Sequence, residues 1–176
     1  MTPVFEDPRL LPIRDKVAAG ERLTAEDGVL LYRTPDLLGV GWMANQVRER
    51  LHGDKTYYNV NRHINPTDVC TASCRLCAFG KQIRNTAGYT MSLEQVWEVA
   101  GRGYSEAVSE FHIVGGLHPT LTLDWYCEML RGLKQRYPQV HLKAFTMVEI
   151  SYFAKRAKLP IREVLIRLRD AGMDSQ

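Results

Sequence analysis

Two kinds of short apolar segment alternate along the chain after residue 56, and this alternation limits the folds open to it. Segments typical of β-strands cover residues 57–61, 110–114 and 140–145, and each precedes a segment with helical periodicity. Strands that alternate with helices form a parallel sheet with right-handed crossovers. The predicted fold class is therefore α/β, with about three strand–helix units over residues 56–176.

Helix-start and helix-stop residues support this division. Ser92 and Gln95 have capping-box spacing, and Thr122 is placed to cap the next helix. Pro160 falls in the first turn of the last predicted helix, and Gly172 follows that helix as its expected C′ residue.

The first part of the chain, residues 1–55, has no strand pattern and is predicted to be a helical lead-in. Thr24 and Asp27 have capping-box spacing, with Asp in place of the usual Glu or Gln. Thr34 and Pro35 look like the N-cap and first residue of a further helix. Because no flexible linker follows, this lead-in is expected to adjoin the α/β part directly.

The number of strand–helix units predicts an incomplete barrel. A closed (β/α) barrel typically takes ~200 residues or more, whereas this chain has 176 residues and ends just beyond a helix. The sequence therefore predicts the N-terminal half of a barrel, with no further strand beside the third one.

Composition excludes several classes of partner. The formal net charge is only +3, from 23 basic and 20 acidic residues, and no Lys/Arg tract is interleaved with aromatic residues. This argues against nucleic-acid binding. No basic segment followed by an apolar run opens the chain, and no apolar run approaches the ~18–20 residues of a membrane span. The sequence predicts a cytoplasmic protein that binds neither membranes nor nucleic acids.

Three cysteines lie within eight residues of a polar loop, at Cys70, Cys74 and Cys77. Thiols this close together in a cytoplasmic chain indicate a metal site better than a disulfide framework. Thiolates are the usual protein ligands of iron–sulfur clusters. Three of them can hold three irons of a 4Fe–4S cubane, which leaves the fourth iron open to another ligand.

Two other interpretations of the cysteines are open. A structural zinc site would need a fourth ligand, such as His63 or His118. Buried, inert thiols would need apolar neighbours, which this loop lacks. Cys127, by contrast, lies among apolar residues of a predicted helix and is expected to be a small core residue.

The segment CTASCRLC at residues 70–77, followed by Ala78 and Phe79, resembles the signature of the radical S-adenosylmethionine superfamily. The resemblance implies a 4Fe–4S cluster whose open iron chelates S-adenosylmethionine, with Phe79 beside the cofactor. One electron from a reducing donor of the flavodoxin or ferredoxin type would then release a 5′-deoxyadenosyl radical.

Longer segments of the sequence resemble one family within this superfamily. NRHINPTDVC at 61–70, CAFG at 77–80 and HIVGGLHP at 112–119 are similar to the aminofutalosine synthase family of the futalosine route to menaquinone. The sister families, dehypoxanthine futalosine cyclase and FO synthase, share the cysteine loop. They have Gln at the position of Val114 and lack the RHINP run.

This resemblance implies a specific reaction on small-molecule substrates. The adenosyl radical would add to the enol-ether double bond of 3-[(1-carboxyvinyl)oxy]benzoate, and the adduct would rearrange and lose its carboxyl group to give aminodeoxyfutalosine. The alternatives are a sister radical enzyme and a non-catalytic metal-binding fragment.

Gly115 and Gly116 follow the second predicted strand, where α/β proteins bind ligands. Glycine there permits positive φ and a close approach of ligand to backbone. The resemblance implies that this backbone meets the amino group of S-adenosylmethionine. An ordinary strand-to-helix turn is the alternative.

Five further side chains are placed at the same ends of the predicted strands. His63 and Asn65 could bind substrate carboxylate or only satisfy loop backbone groups. His118 is a candidate active-site or surface residue. Thr146 could contact substrate, and Glu149 could bind ribose hydroxyls of S-adenosylmethionine or simply begin a helix.

Overall fold

The computed structural model describes residues 5–176, which separate into two units, one ending at Tyr58 and one running over Asn59–Gln176. The first unit contains no strand among its described residues. It consists of a 3₁₀ turn, Pro8–Leu10, and three helices: α1 (Leu11–Ala19), α2 (Ala25–Arg33) and α3 (Leu37–His52). Its core is small, formed by the buried side chains of Leu10, Ile13 and Met43.

One of the two helix caps predicted for this unit is present, at α2, and the other, at α3, is not. Thr24 and Asp27 form the predicted capping box at α2. The predicted start of α3 is wrong, because the N-cap is Asp36, whose carboxylate accepts the N–H of Gly39 at 2.8 Å. The hydroxyl of Thr34 donates to the Asp7 carboxylate at 2.8 Å and accepts the N–H of Asp36, the cap residue itself, at 3.2 Å.

The second unit contains a parallel sheet, as the strand–helix alternation predicts. Its strands are β1 (Asn61–Ile64), β2 (Glu110–Ile113) and β3 (His141–Ala144), in the order β1-β2-β3. Both pairings are parallel. The α/β prediction is therefore confirmed.

The two faces of the sheet differ in chemistry. Phe111, Ile113, Leu142 and Ala144 alternate along β2 and β3 and are fully buried against helices. Full burial of a large apolar side chain contributes about 1.5–3 kcal/mol, so this face supplies much of the stability of the unit. The intervening positions place polar side chains on the other face.

Four helices complete the unit: α4 (Leu93–Gly101), α5 (Leu123–Arg136), α6 (Met147–Ala157) and α7 (Ile161–Asp170). The predicted caps are present, since Ser92 and Gln95 form a capping box and Thr122 accepts the N–H of Trp125. Pro160 is the N-cap residue of α7, and Gly172 adopts a φ of 113° just after it. No helix within residues 5–176 is long and apolar enough to cross a membrane.

The first strand lies further along the chain than the predicted 57–61. Tyr57 and Tyr58 are largely exposed, and pairing starts only at Asn61, opposite Glu110. The register with β2 decides this, because it buries Ile64 beside Ile113. The aromatic residues before it resemble a strand only in composition.

Within residues 5–176 the sheet has three strands, and after α7 the chain adds an isolated bridge at the outer edge of β3. Ser175 forms a parallel bridge with Lys143, and its carbonyl accepts the N–H of Ala144 at 2.9 Å. The carboxylate of Asp174 accepts the N–H of Leu142 at 2.7 Å. The chain therefore resumes pairing on the outer edge of β3 after α7.

Candidate metal centre

Hydrogen bonds within the loop that follows β1 hold the base of the cysteine segment. Lys81 donates its N–H to the carbonyl of Asp68 at 2.7 Å, and its own carbonyl accepts the N–H of Cys70 at 2.8 Å. The buried carboxylate of Asp68 accepts the N–H of Tyr89 at 2.7 Å. These bonds fix the base of the loop while Cys74 and Cys77 stay exposed.

Two of the three sulfurs already receive backbone hydrogen bonds. Cys70 Sγ accepts the N–H of Leu117 at 3.3 Å and that of Ala72 at 3.4 Å. Cys77 Sγ accepts the N–H of Gly80 at 3.3 Å. Hydrogen bonds from Gly80 and Phe79 lower the pKa of the Cys77 thiol, which favours the thiolate that binds metal.

The chemistry of these donors suits an iron–sulfur cluster. An added Cβ at Gly80 would lie 3.4 Å from Cys70 Cβ and 3.6 Å from Cys77 Sγ, so both cysteines border the same glycine. As they stand, no three His, Cys, Asp or Glu side chains in residues 5–176 are grouped to hold a metal ion.

Cys127 lies apart from this loop, as the sequence indicates. It is 1% exposed, and burial raises the pKa of its thiol. A buried neutral thiol is a poor metal ligand.

The two glycines after β2 serve a different conformational purpose from the one expected. Neither Gly115 nor Gly116 has a positive φ, so that expectation is wrong. An added Cβ at Gly116 would lie 2.2 Å from the carbonyl oxygen of Val69, and one at Gly115 would lie 3.1 Å from that of Thr67. Glycine is needed because the turn packs directly against the backbone that leads into Cys70.

Glu149 holds this turn from the other side. Its side chain is only 4% exposed, and one carboxylate oxygen accepts the N–H of Gly115 at 3.0 Å. The other oxygen accepts the N–H and hydroxyl of Thr146, at 2.7 and 2.9 Å, within the capping box of α6. Burial raises the pKa of Glu149, and the Thr146 and Gly115 N–H groups oppose this rise.

Glu149 and Thr146 thus make intramolecular contacts at positions where the sequence suggested ligand contacts. Both Glu149 oxygens are engaged by the chain, and the Thr146 side chain caps α6. Their binding of ribose or substrate stays a prediction.

His118 is likewise engaged by its own loop. It is 9% exposed, and its Nδ1 accepts the N–H groups of Thr120 and Leu121 at 3.2 and 3.1 Å. Burial, followed by the positive charge of Arg156, lowers the pKa of His118. A neutral ring that uses Nδ1 as acceptor carries its proton on Nε2.

His63 and Asn65 do come to the carboxyl end of the sheet. His63 lies in β1 and is exposed, and Asn65 donates its side-chain amide to the carbonyl of Val114 at 2.8 Å. Phe79, also a candidate, is 42% exposed on the cysteine loop.

The sequence analysis missed two residues beside His63. His112 on β2 pairs with His63, and Lys143 on β3 pairs with His112, so the three residues form a row on the polar face of the sheet. The rings of His63 and His112 meet edge to face with centroids 4.7 Å apart. Strict alternation along Glu110, His112 and Val114 was the signal that could have revealed this row.

Curated proteins of similar sequence indicate the family of this chain. No protein-family profile matches the chain. It is 44% identical over 163 residues to aminodeoxyfutalosine synthase of Streptomyces coelicolor, covering 93% of this chain and 42% of that protein. It is 40% identical over 171 residues to the enzyme of the same name from Thermus thermophilus, covering 97% of this chain and 46% of that one.

The chain is a homologue of the aminodeoxyfutalosine synthases. It spans about half the length of the curated relatives it matches. A more distant relative is the cyclic dehypoxanthine futalosine synthase of Halalkalibacterium halodurans, at 32% identity over 93% of this chain and 44% of that protein.

Solved structures confirm the fold of this aminodeoxyfutalosine synthase homologue. Methylornithine synthase matches with a TM-score of 0.62 at 14% identity, over 92% of this chain and 56% of that one. The FeFe-hydrogenase maturase of Carboxydothermus hydrogenoformans matches with a TM-score of 0.60 at 18% identity, over 94% and 46%. The fold is therefore a partial (β/α) barrel.

Proposed function

We propose that this protein is an aminodeoxyfutalosine synthase. It would join the 5′-deoxyadenosyl group of S-adenosylmethionine to 3-[(1-carboxyvinyl)oxy]benzoate, with loss of a carboxyl group, in menaquinone biosynthesis. The observation that carries the proposal is 40–44% identity to enzymes of that name over 93–97% of the chain.

The three loop cysteines would hold a 4Fe–4S cluster. Cys70 is the ligand whose surroundings are most fully built, because Leu117 and Ala72 donate N–H groups to its sulfur. Such hydrogen bonds stabilise negative charge on a cluster and affect its reduction potential. When bound, the cluster and S-adenosylmethionine would supply the radical chemistry, given an electron from a flavodoxin- or ferredoxin-type donor.

The chain's own residues would shape and orient this site. The backbone of Gly115 and Gly116 lies against the residues that lead into Cys70, and S-adenosylmethionine would bind beside it. Glu149 fixes Gly115, and Asn65 fixes the carbonyl of Val114 just before it. Fixed backbone groups at the carboxyl ends of strands can bind a ligand without first rearranging.

The rival functions are those of the other relatives. FO synthase of Mycobacterium leprae is 36% identical over 80% of this chain, and the cyclic dehypoxanthine futalosine synthase is 32% identical. A 4-hydroxyphenyl transferase of Synechococcus elongatus, whose name specifies 5-amino-6-(D-ribitylamino)uracil and L-tyrosine, is 36% identical over 75% of this chain. The higher identity to the aminodeoxyfutalosine synthases favours their reaction.

The test is an anaerobic assay of the purified protein after reconstitution with iron and sulfide. Reductant and S-adenosylmethionine are combined in turn with the enolpyruvyl benzoate, dehypoxanthine futalosine, or the ribitylaminouracil with tyrosine. Mass spectrometry should detect aminodeoxyfutalosine in the first reaction alone. The Cys74→Ala variant is the matched control and should give none. Product in either of the other reactions, with none in the first, would refute the proposal.

A further inference from the structure

The polar face of the sheet carries a row of basic side chains. The register places His63 on β1, His112 on β2 and Lys143 on β3 side by side. The row lies one residue before the strand ends, which lead into the cysteine loop, the Gly115 turn and α6. Neighbouring strands are about 4.8 Å apart, so the backbones of His63 and Lys143 are roughly 10 Å apart.

The part of the chain that the structure describes offers no polar partner to the two outer members of the row. Within residues 5–176, neither the His63 ring nor the Lys143 ammonium group makes a hydrogen bond or ion pair. The nearby acid, Glu110, faces the central ring instead, with its oxygen 3.8 Å from His112 Nδ1. The central ring is partly buried, and burial together with the charges of His63 and Lys143 lowers the pKa of His112.

A row with two free basic ends and a neutral aromatic centre matches a particular kind of ligand. We propose that Lys143 and His63 bind the carboxylate groups of an aromatic dicarboxylate whose ring lies over His112. This inference rests on the proposed function, because 3-[(1-carboxyvinyl)oxy]benzoate has one carboxylate on its ring and another on its enolpyruvyl arm.

The chemistry of the row supports carboxylates over other polar groups. Lys143 presents only donors and a positive charge, and an ammonium–carboxylate contact is a charge-assisted hydrogen bond, stronger than one between neutral groups. A neutral amide in place of the carboxylate would keep the shape but lose the charge. This row should therefore bind a carboxylate ligand more tightly than the corresponding amide.

The test is anaerobic calorimetry on the reconstituted protein and its Lys143→Met, Lys143→Arg and His63→Ala variants. Ligands are the enolpyruvyl benzoate, its benzamide analogue and S-adenosylmethionine, each titrated separately. Lys155→Met, which removes an exposed lysine of α6, is the matched control.

Lys143→Met should weaken binding of the benzoate at least tenfold and abolish the preference for benzoate over benzamide. Lys143→Arg should restore most of the affinity, His63→Ala should act in the same direction, and S-adenosylmethionine should bind all variants equally. Tight benzoate binding that Lys143→Met leaves unchanged would overturn this inference alone. Failure of the unmodified protein to bind the benzoate would refute the proposed function and this inference with it.

Discussion

Replacing Glu149 measures how much this side chain contributes to the stability of the fold. This side chain joins the Gly115 turn to the start of α6 through three hydrogen bonds. Glu149→Ala removes all three and leaves the N–H of Gly115 without its acceptor. Glu149→Gln keeps the shape and one amide oxygen, which can accept from Gly115 or from Thr146 but not from both.

The magnitude follows from what each variant leaves unpaired. An unsatisfied donor in a buried position costs about 1–3 kcal/mol, and loss of a helix cap costs about 1 kcal/mol. Glu149→Ala should therefore lower the free energy of unfolding by about 2–4 kcal/mol. Glu149→Gln should lower it by about 1 kcal/mol, because only one of these two contacts is lost.

The pH dependence gives a second readout with a definite sign. Burial raises the pKa of Glu149, so the folded protein holds this proton more tightly than the unfolded chain does. Its contribution to stability is then fully present below the unfolded pKa and decreases as the pH rises through the raised folded pKa. Glu149→Gln should flatten this part of the stability profile.

Urea unfolding followed by circular dichroism, repeated across the acid range, measures both effects. Glu163→Ala is the matched control, since Glu163 also lies in the first turn of a helix but is exposed. If the free energies of unfolding of Glu149→Ala and Glu163→Ala differ by less than about 0.5 kcal/mol, Glu149 does not stabilise the fold in the way described.

Three further predictions concern the loop and the core. Replacing any one of the three loop cysteines by Ala should abolish the brown colour and iron content of the reconstituted protein, whereas Cys127→Ala should retain both; the opposite pattern would contradict the site. Gly116→Ala should also lower the iron content, because its Cβ would lie 2.2 Å from the carbonyl oxygen of Val69 and displace the backbone before the first cysteine; iron bound at the normal level would show that this packing is dispensable. Gly132→Ala would place a Cβ 2.3 Å from the Trp97 ring, between α5 and α4. It should lower the free energy of unfolding in urea by about 1–3 kcal/mol. An unchanged free energy of unfolding would show that the ring moves aside freely.

Local chemistry made much of the fold predictable. The capping boxes at Thr24 and Ser92 join residues three apart in sequence, so the pattern alone identifies them. The alternation of strands and helices predicted the parallel sheet because consecutive parallel strands need a crossover helix between them. The cysteine spacing predicts a metal site because three thiols within eight residues have few other uses.

Contacts between distant segments decided what the sequence left open. The N-cap of α3 is Asp36, whose carboxylate also accepts the N–H groups of Glu6 and Asp7 from 30 and 29 residues away. The span of β1 depends on its register with β2, which no local pattern contains.

In the candidate site, too, local sequence and contacts between distant segments determined different features. Sequence alone determined which chemical groups are available: three thiols, two glycines and the polar residues that follow each strand. Only the tertiary structure decided that Gly116 packs on the carbonyl of Val69 and that Glu149 binds Gly115. It also placed His112 and Lys143 beside His63. The physical reason is that parallel pairing brings the ends of strands about 30–50 residues apart in sequence to one edge of the sheet, where their side chains meet.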